Sequence, residues 1–82
     1  MLYITANINH EVNMELNNEL KVWRARRDIT QERLGKEVGL SRQTIHSIER
    51  GKFIPSVLSA IKIARYFETS VDSIFFVKGD ER

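Results

Sequence analysis

Five polar side chains that can hydrogen-bond to base edges fall within six consecutive positions: Arg42, Gln43, Thr44, His46 and Ser47. Arg pairs bidentately with guanine and Gln with adenine in the major groove of DNA, while Thr and Ser bond to several base edges. Ile45 and Ile48 are spaced to occupy the opposite, inward face of a helix. A solvated helix would favour Glu–Lys pairs four residues apart, and none occurs between Ser41 and Arg50. The pattern therefore favours base reading over ordinary solvated surface.

These residues lie on the second of two short predicted helices. Thr30 and Ser41 are good N-caps and Gly39 is a helix stop, which predicts helices over Thr30–Val38 and Ser41–Arg50. Only two residues separate the helices. This is the spacing of a helix-turn-helix, in which a small residue at the turn lets the second helix leave at a steep angle and lie in a major groove.

Three more predicted helices make the fold class all-α, with five helices in total: Asn17–Arg27, Ser56–Phe67 and Val71–Phe75. Asn17 or Asn18 can cap the first of them, and Asp28 ends it because Asp tolerates the left-handed conformation. The fourth helix of the chain carries apolar residues at steps of three and four that predict its core face: Val57, Ala60, Ile61, Ala64 and Phe67.

Two stretches near the ends, Leu2–Thr5 and Phe75–Val77, are rich in β-prone residues. They could form strands that pair with each other or with a partner chain. For the N-terminal stretch, a frayed arm is an equally good interpretation. We therefore divide the chain into an arm over residues 1–16, a domain over residues 17–76 and a tail over residues 77–82.

The net charge of +2 hides a strongly basic middle segment. Residues 20–52 carry nine Lys and Arg against four Asp and Glu, a balance of +5. Residues 1–19 carry three Glu and no base, a balance of −3. The positive charge thus coincides with the predicted helix pair, where a polyanion could use it.

Length and composition exclude several classes of protein. A chain of 82 residues holds one small domain, and its lack of Cys and its two distant His residues leave no metal or cofactor site. There is no Cys nucleophile, paired carboxylate or Gly-rich phosphate loop, which argues against an enzyme. No apolar run is long enough to span a membrane, so we expect a soluble, cytoplasmic protein. Because so small a core stabilises a fold weakly, we also expect self-association.

Residues 20–34, together with Val38-Gly39-Leu40-Ser41-Arg42-Gln43-Thr44-Ile45 and Ile48-Glu49-Arg50-Gly51-Lys52, resemble the XRE family. These are the helix-turn-helix transcriptional regulators of the phage Cro and repressor type. The resemblance continues through Pro55-Ser56 and Ile74-Phe75 and covers about residues 17–76. It implies a repressor-like five-helix DNA-binding domain.

The resemblance also implies roles for individual residues. The base-reading positions match Arg42, Gln43, Thr44 and Ser47, with His46 at the rim of the groove. The positions that contact DNA phosphates match Thr30, Gln31, Ser41, Arg50, Gly51 and Lys52, although for Thr30 we prefer a plain N-cap. Glu49 matches a residue that pairs with an Arg of the first helix, here Arg24. Arg24 therefore has a structural role, pairing with Glu49, and is not counted among the DNA contacts.

This chain departs from the family pattern at three positions. Asp28 and Glu68 stand where Gly is frequent, which predicts slightly strained turns. Arg33 replaces the Glu of a capping box, which leaves the N-terminus of that helix more positive.

Together these features predict a homodimeric transcriptional regulator, interpreted as a repressor, that binds double-stranded DNA at an inverted-repeat operator with half-sites about 10 bp apart. We expect its dimer surface at the C-terminal apolar residues Ile74, Phe75, Phe76 and Val77. The alternative is an antitoxin of a toxin–antitoxin pair, whose N-terminal arm would contact the toxin. A protein-interaction module is less favoured, because it gives no reason to expose Arg42 and Gln43 together.

Overall fold

The structure is a computed structural model that describes residues 15–79. Its elements follow the chain as β1 (Leu16–Asn18), α1 (Leu20–Arg27), α2 (Gln31–Val38), α3 (Arg42–Glu49), α4 (Val57–Tyr66), α5 (Val71–Ile74) and β2 (Phe75–Val77). The all-α class with five helices and a short sheet is confirmed. The N-terminal stretch Leu2–Thr5 and the end of the predicted tail lie outside the described residues.

The strands β1 and β2 form a two-stranded antiparallel sheet that closes the two ends of the fold on each other. Leu16 pairs with Val77 and Asn18 with Phe75. The prediction that the first helix begins at Asn17 is wrong, because residues 16–18 are extended. Asn18 still helps to start α1, since its Oδ1 accepts the N–H of Leu20 at 3.0 Å. The strand predicted at the C-terminal end is confirmed.

Eleven buried apolar side chains form the core of the described residues: Leu20, Leu34, Val38, Ile45, Ile48, Ala60, Ile63, Ala64, Phe67, Ile74 and Phe75. Ile74 is fully buried and Phe75 is 6% exposed, so neither can supply the exposed dimer surface that we predicted for it. Both side chains pack into the core of the domain, because α5 and β2 fold back toward α1 and α4. Phe76 and Val77 are half-buried.

The predicted core face of α4 is partly wrong. Ala60, Ala64 and Phe67 are buried as expected, but Val57 is 78% exposed and Ile61 is 38% exposed. The helix is apolar on two sides, so its periodicity alone does not tell which side meets the core.

A tight turn between α2 and α3 fixes the helix-turn-helix. The Oγ1 of Thr30 accepts the N–H of Arg33 at 3.0 Å, which confirms Thr30 as an N-cap. Gly39 ends α2 with φ of 76°, a left-handed conformation that glycine adopts without strain. Inside α2, Gly35 accepts the N–H of Leu40 at 2.8 Å, and a Cβ added at Gly35 would overlap the carbonyl oxygen of Leu40. The absence of a side chain at Gly35 therefore lets the turn before α3 pack directly against α2.

The two non-glycine residues expected in left-handed turns are found there. Asp28 ends α1 with φ of 54°, and Glu68 follows α4 with φ of 57°. Among residues 15–79, no helix has the length and apolarity needed to cross a membrane.

Candidate nucleic-acid interface

The outer face of α3 displays the residues predicted to read bases. Arg42 and Gln43 are exposed, and Thr44, His46 and Ser47 are half-buried. Ile45 and Ile48 are buried on the opposite face, as the sequence spacing required. Ser41 caps this helix, since its Oγ accepts the N–H of Thr44 at 3.0 Å and lies 2.8 Å from the Thr44 hydroxyl. The two most exposed polar side chains of α3 therefore stand in its first turn.

An open basin of about 470 Å³ lies beside this face, between α1, α2 and α3. Its walls include four cationic residues and one carboxylate: Lys21, Arg24, Arg42, Arg50 and Glu49. Within the described part of the chain, Lys21, Arg42 and Arg50 take part in no ion pair. The basin can thus receive an anionic group such as a DNA phosphate. Lys21 was not among the predicted site residues, although its place three residues before Arg24 on α1 is a signal that could have found it.

Arg24 and Glu49 form the ion pair that the resemblance implied. The Nε of Arg24 donates to Oε2 of Glu49 at 2.7 Å, and its Nη2 donates to Oε1 at 3.1 Å. The side chains are only 15% and 6% exposed. The hydrogen bond to Glu49 raises the pKa of Arg24, burial works against it, and the charge of Glu49 adds to the rise. The Nη1 of Arg24 also donates to the carbonyl oxygen of Ile29 at 2.8 Å. Arg24 therefore bonds to other parts of the protein and has a structural role.

Gln31, the first residue of α2, reaches across to α3. Its Nε2 lies 3.1 Å from Oε1 of Glu49 and 3.3 Å from Nδ1 of His46. The amide nitrogen expected to meet a DNA phosphate therefore already faces two groups of the protein. Gln31 and His46 therefore contact each other at the wall of the basin.

The turn after α3 carries the remaining predicted phosphate contacts. Arg50 and Lys52 are exposed. The N–H of Gly51, however, donates to the carbonyl oxygen of Ile48 at 3.0 Å, and that of Lys52 to Ser47 at 2.9 Å. The prediction that Gly51 contacts a phosphate does not fit this geometry, because its N–H already donates to the carbonyl oxygen of Ile48. Gly51, with φ of 73°, instead shapes the turn that presents its two basic neighbours.

A family model described as helix-turn-helix matches residues 20–74, from the first residue of α1 to the last of α5. The chain belongs to the XRE family of helix-turn-helix transcriptional regulators. An uncharacterized HTH-type transcriptional regulator of Methanocaldococcus jannaschii is 47% identical over 66 residues, which are 80% of this chain and the whole of that protein. The regulator YgzD of Bacillus subtilis is 40% identical over 77% of this chain and 96% of its own length.

A third relative of this XRE-family chain is longer. The HTH-type transcriptional activator BcrR of Enterococcus faecalis is 32% identical over 83% of this chain, which corresponds to 32% of BcrR. Membership of the family makes this chain a DNA-binding regulator of transcription.

Proposed function

We propose that this XRE-family protein is a homodimeric repressor that acts in the cytoplasm and inserts α3 into the major groove at each half of an inverted-repeat operator. The observation that carries the proposal is the exposure of Arg42 and Gln43 at the start of α3, beside a basin whose Lys21, Arg42 and Arg50 form no ion pair with any described residue. Arg can pair bidentately with guanine, and Gln can pair bidentately with adenine. The cations would hold the backbone while these two residues read the bases.

Selection of bound sequences from random DNA tests this reading. The protein should enrich a sequence with two-fold symmetry, and Arg42→Ala with Gln43→Ala should abolish that preference while the circular dichroism spectrum stays unchanged. A matched control is Lys62→Ala with Arg65→Ala, which removes two exposed cations from α4. The control should retain the wild-type preference. An unchanged preference in the α3 variant would overturn the assignment of α3 as the reader.

Because Ile74 and Phe75 are buried, we propose that the homodimer forms through a different surface, an apolar patch. This patch consists of exposed apolar residues around the start of α4: Leu16, Phe53, Ile54, Val57, Leu58 and Ile61. Their exposed fractions run from 38% at Ile61 to 78% at Val57, and so many exposed large apolar residues in one region are typical of an interaction surface. An apolar cleft of about 180 Å³ lies within the patch.

A second copy of the chain is the occupant that the apolar patch fits best. Among residues 15–79, no charged side chain lines the cleft, so a charged partner would gain little there. Two-fold association sets identical apolar surfaces face to face. The patch also includes Phe53, which comes directly after the turn that carries Arg50 and Lys52. A two-fold axis at this place would fix the spacing between two recognition helices, as an inverted repeat requires.

Val57→Asp tests the relocated surface, with Val22→Asp as its matched control. Val57 is 78% exposed in the apolar patch, whereas Val22 is 45% exposed on α1 outside it. In sedimentation experiments Val57→Asp should be a monomer and should bind the operator much more weakly, and Val22→Asp should remain a dimer. A wild-type protein that sediments as a monomer would contradict the homodimer. It would favour the antitoxin alternative, in which a different protein covers the patch.

Repression is the finer part of the proposal. Occupying an operator is enough to block transcription, whereas activation needs an additional productive contact with the transcription machinery. The relative BcrR is named an activator, so a reporter gene placed behind the selected operator must decide. Reporter output should fall when the protein is present, and a rise would reverse this part of the proposal.

A further inference from the structure

Gln31 and His46 bring two polar side chains together at the wall of the basic basin. Gln31 opens α2 and His46 lies in the middle of α3, and their side chains meet with Nε2 of Gln31 3.3 Å from Nδ1 of His46. Both residues are half-buried. Neither the helix-turn-helix geometry nor the ion pair of Arg24 requires this contact.

The orientation of the Gln31 amide is fixed by its second partner. Its Nε2 lies 3.1 Å from Oε1 of Glu49, and a carboxylate only accepts hydrogen bonds. A flipped amide would bring the oxygen of Gln31 against the Glu49 carboxylate. Glu49 is itself held in place by two hydrogen bonds from Arg24. The nitrogen of the Gln31 amide, and not its oxygen, therefore faces His46.

This orientation determines which nitrogen of His46 carries the proton. Because Nδ1 faces an N–H donor, Nδ1 must accept, and in a neutral imidazole the other nitrogen then bears the hydrogen. We propose that Gln31 is a positioning residue that sets the tautomer and the ring orientation of His46, with the Nε2–H of His46 directed to a hydrogen-bond acceptor on the DNA. The inference rests on the proposed insertion of α3 into the groove. It replaces the direct phosphate contact expected of Gln31, since both hydrogens of its amide serve the protein.

A double-mutant cycle on operator DNA distinguishes the two roles of Gln31. If Gln31 acts through His46, Gln31→Met should weaken binding about fivefold in the wild-type background, as expected for one lost hydrogen bond. In a His46→Ala background the same change should weaken binding less than twofold, because the residue through which it acts is gone. If Gln31 contacts a phosphate directly, the loss should be the same in both backgrounds, and that result would overturn the proposal.

Lys52 provides the control cycle. No hydrogen bond joins Lys52 to Gln31 in the described part of the chain, so Gln31→Met and Lys52→Ala should weaken binding additively. All variants are compared below their melting temperatures, so that lost stability does not count as lost affinity. A wild-type protein without specific binding would refute the proposed function, whereas equal losses in a protein that binds would refute only the role of Gln31.

The side chain of His46 can be tested independently by isosteric substitution. When the side chains are superposed, the amide nitrogen of Asn takes the position of histidine Nδ1. The amide nitrogen of Gln takes the position of Nε2. His46→Gln should therefore keep a donor toward the DNA and bind within about threefold of wild type, whereas His46→Asn should lose about tenfold. The reverse order would overturn the proposal. Repeated sequence selection with His46→Asn then identifies the acceptor, because losing a base contact alters the preferred sequence and losing a phosphate contact does not.

Nitrogen NMR of the imidazole ring gives a signature that a purely structural role would not produce. In the free wild-type protein at neutral pH, Nδ1 of His46 should show the shift of an unprotonated nitrogen and Nε2 that of a protonated one. Gln31→Met should move the Nδ1 resonance, because its hydrogen bond is removed. A proton on Nδ1 in the wild-type protein would contradict the geometry on which the proposal stands.

Discussion

The partly buried ion pair between Arg24 and Glu49 should dominate the stability of the frame that holds α3. Glu49→Met removes three hydrogen bonds to the carboxylate, two from Arg24 at 2.7 and 3.1 Å and one from Gln31 at 3.1 Å, and leaves an Arg24 side chain that is only 15% exposed. Each such bond contributes about 1.5 kcal/mol, and breaking a buried pair costs about 3–5 kcal/mol. Because Arg24 keeps its bond to Ile29 and some contact with water, we expect a loss of about 3 kcal/mol in the free energy of unfolding.

A double-mutant cycle shows whether the pair itself causes this loss. Arg24→Met should cost about as much as Glu49→Met, since it leaves Glu49 buried with only Gln31 as partner. The double variant should lose about 2–3 kcal/mol instead of the sum, because neither charge is then left alone. Urea unfolding at one fixed protein concentration measures all four proteins, which keeps any contribution of the dimer constant.

The chain contains its own control for this cycle. Arg33 donates through Nε to Oε2 of Glu37 at 2.8 Å, nearly the same contact, but the side chains are 63% and 36% exposed. Exposed pairs of this kind contribute little, so Arg33→Met and Glu37→Met should show no measurable coupling. If the coupling of Arg24 with Glu49 were equally small, the reasoning from burial would be refuted.

Lys52→Ala should weaken binding to all DNA sequences about equally and lower by about one the slope of log affinity against log salt concentration. Arg24→Met should leave that slope unchanged in the folded protein. Binding titrations at several salt concentrations measure both. Gly35→Ala should cost about 2 kcal/mol, because its Cβ would overlap the carbonyl oxygen of Leu40, and an equal effect of the exposed Lys36→Ala would argue against that cause. Glu68→Gly should raise the melting temperature by a few degrees by relieving its left-handed conformation, and an unchanged value would show that this turn is unstrained. The apparent melting temperature should rise with protein concentration, and a constant value would contradict a dimer that shares the folding free energy.

Local signals made the helix-turn-helix predictable from the sequence. Capping side chains and helix-ending glycines act within a few residues, so Thr30, Ser41 and Gly39 placed α2 and α3 almost to the residue. The ion pair of Arg24 with Glu49 joins distant parts of the chain and followed only from resemblance to the family. Physical periodicity alone gives no reason to prefer Arg24 over its basic neighbours.

Features that depend on distant partners were predicted less well. Residues 16–18 are extended because their hydrogen bonds come from the other end of the domain, and no local pattern records that pairing. Val57 and Ile61 fit an apolar stripe, but α4 is apolar on two sides and only packing decides which is buried. The same ambiguity explains why Phe75 was predicted at an exposed surface, since an apolar residue looks the same in sequence whether it fills the core or lies on the surface.

The side-chain hydrogen bonds that tie α3 to the neighbouring elements lie, among the described residues, in its C-terminal half, away from Arg42 and Gln43. Asn18 donates through Nδ2 to the carbonyl oxygen of Ile48 at 2.9 Å, and Arg24 and Gln31 both bind the carboxylate of Glu49. Arg42 and Gln43 stand at the opposite end, where the cap of Ser41 is formed by backbone and hydroxyl groups alone. Changing these two side chains therefore removes no bond of the frame. If α3 reads DNA as proposed, this division lets the sequence preference change while the fold and the angle of α3 stay the same.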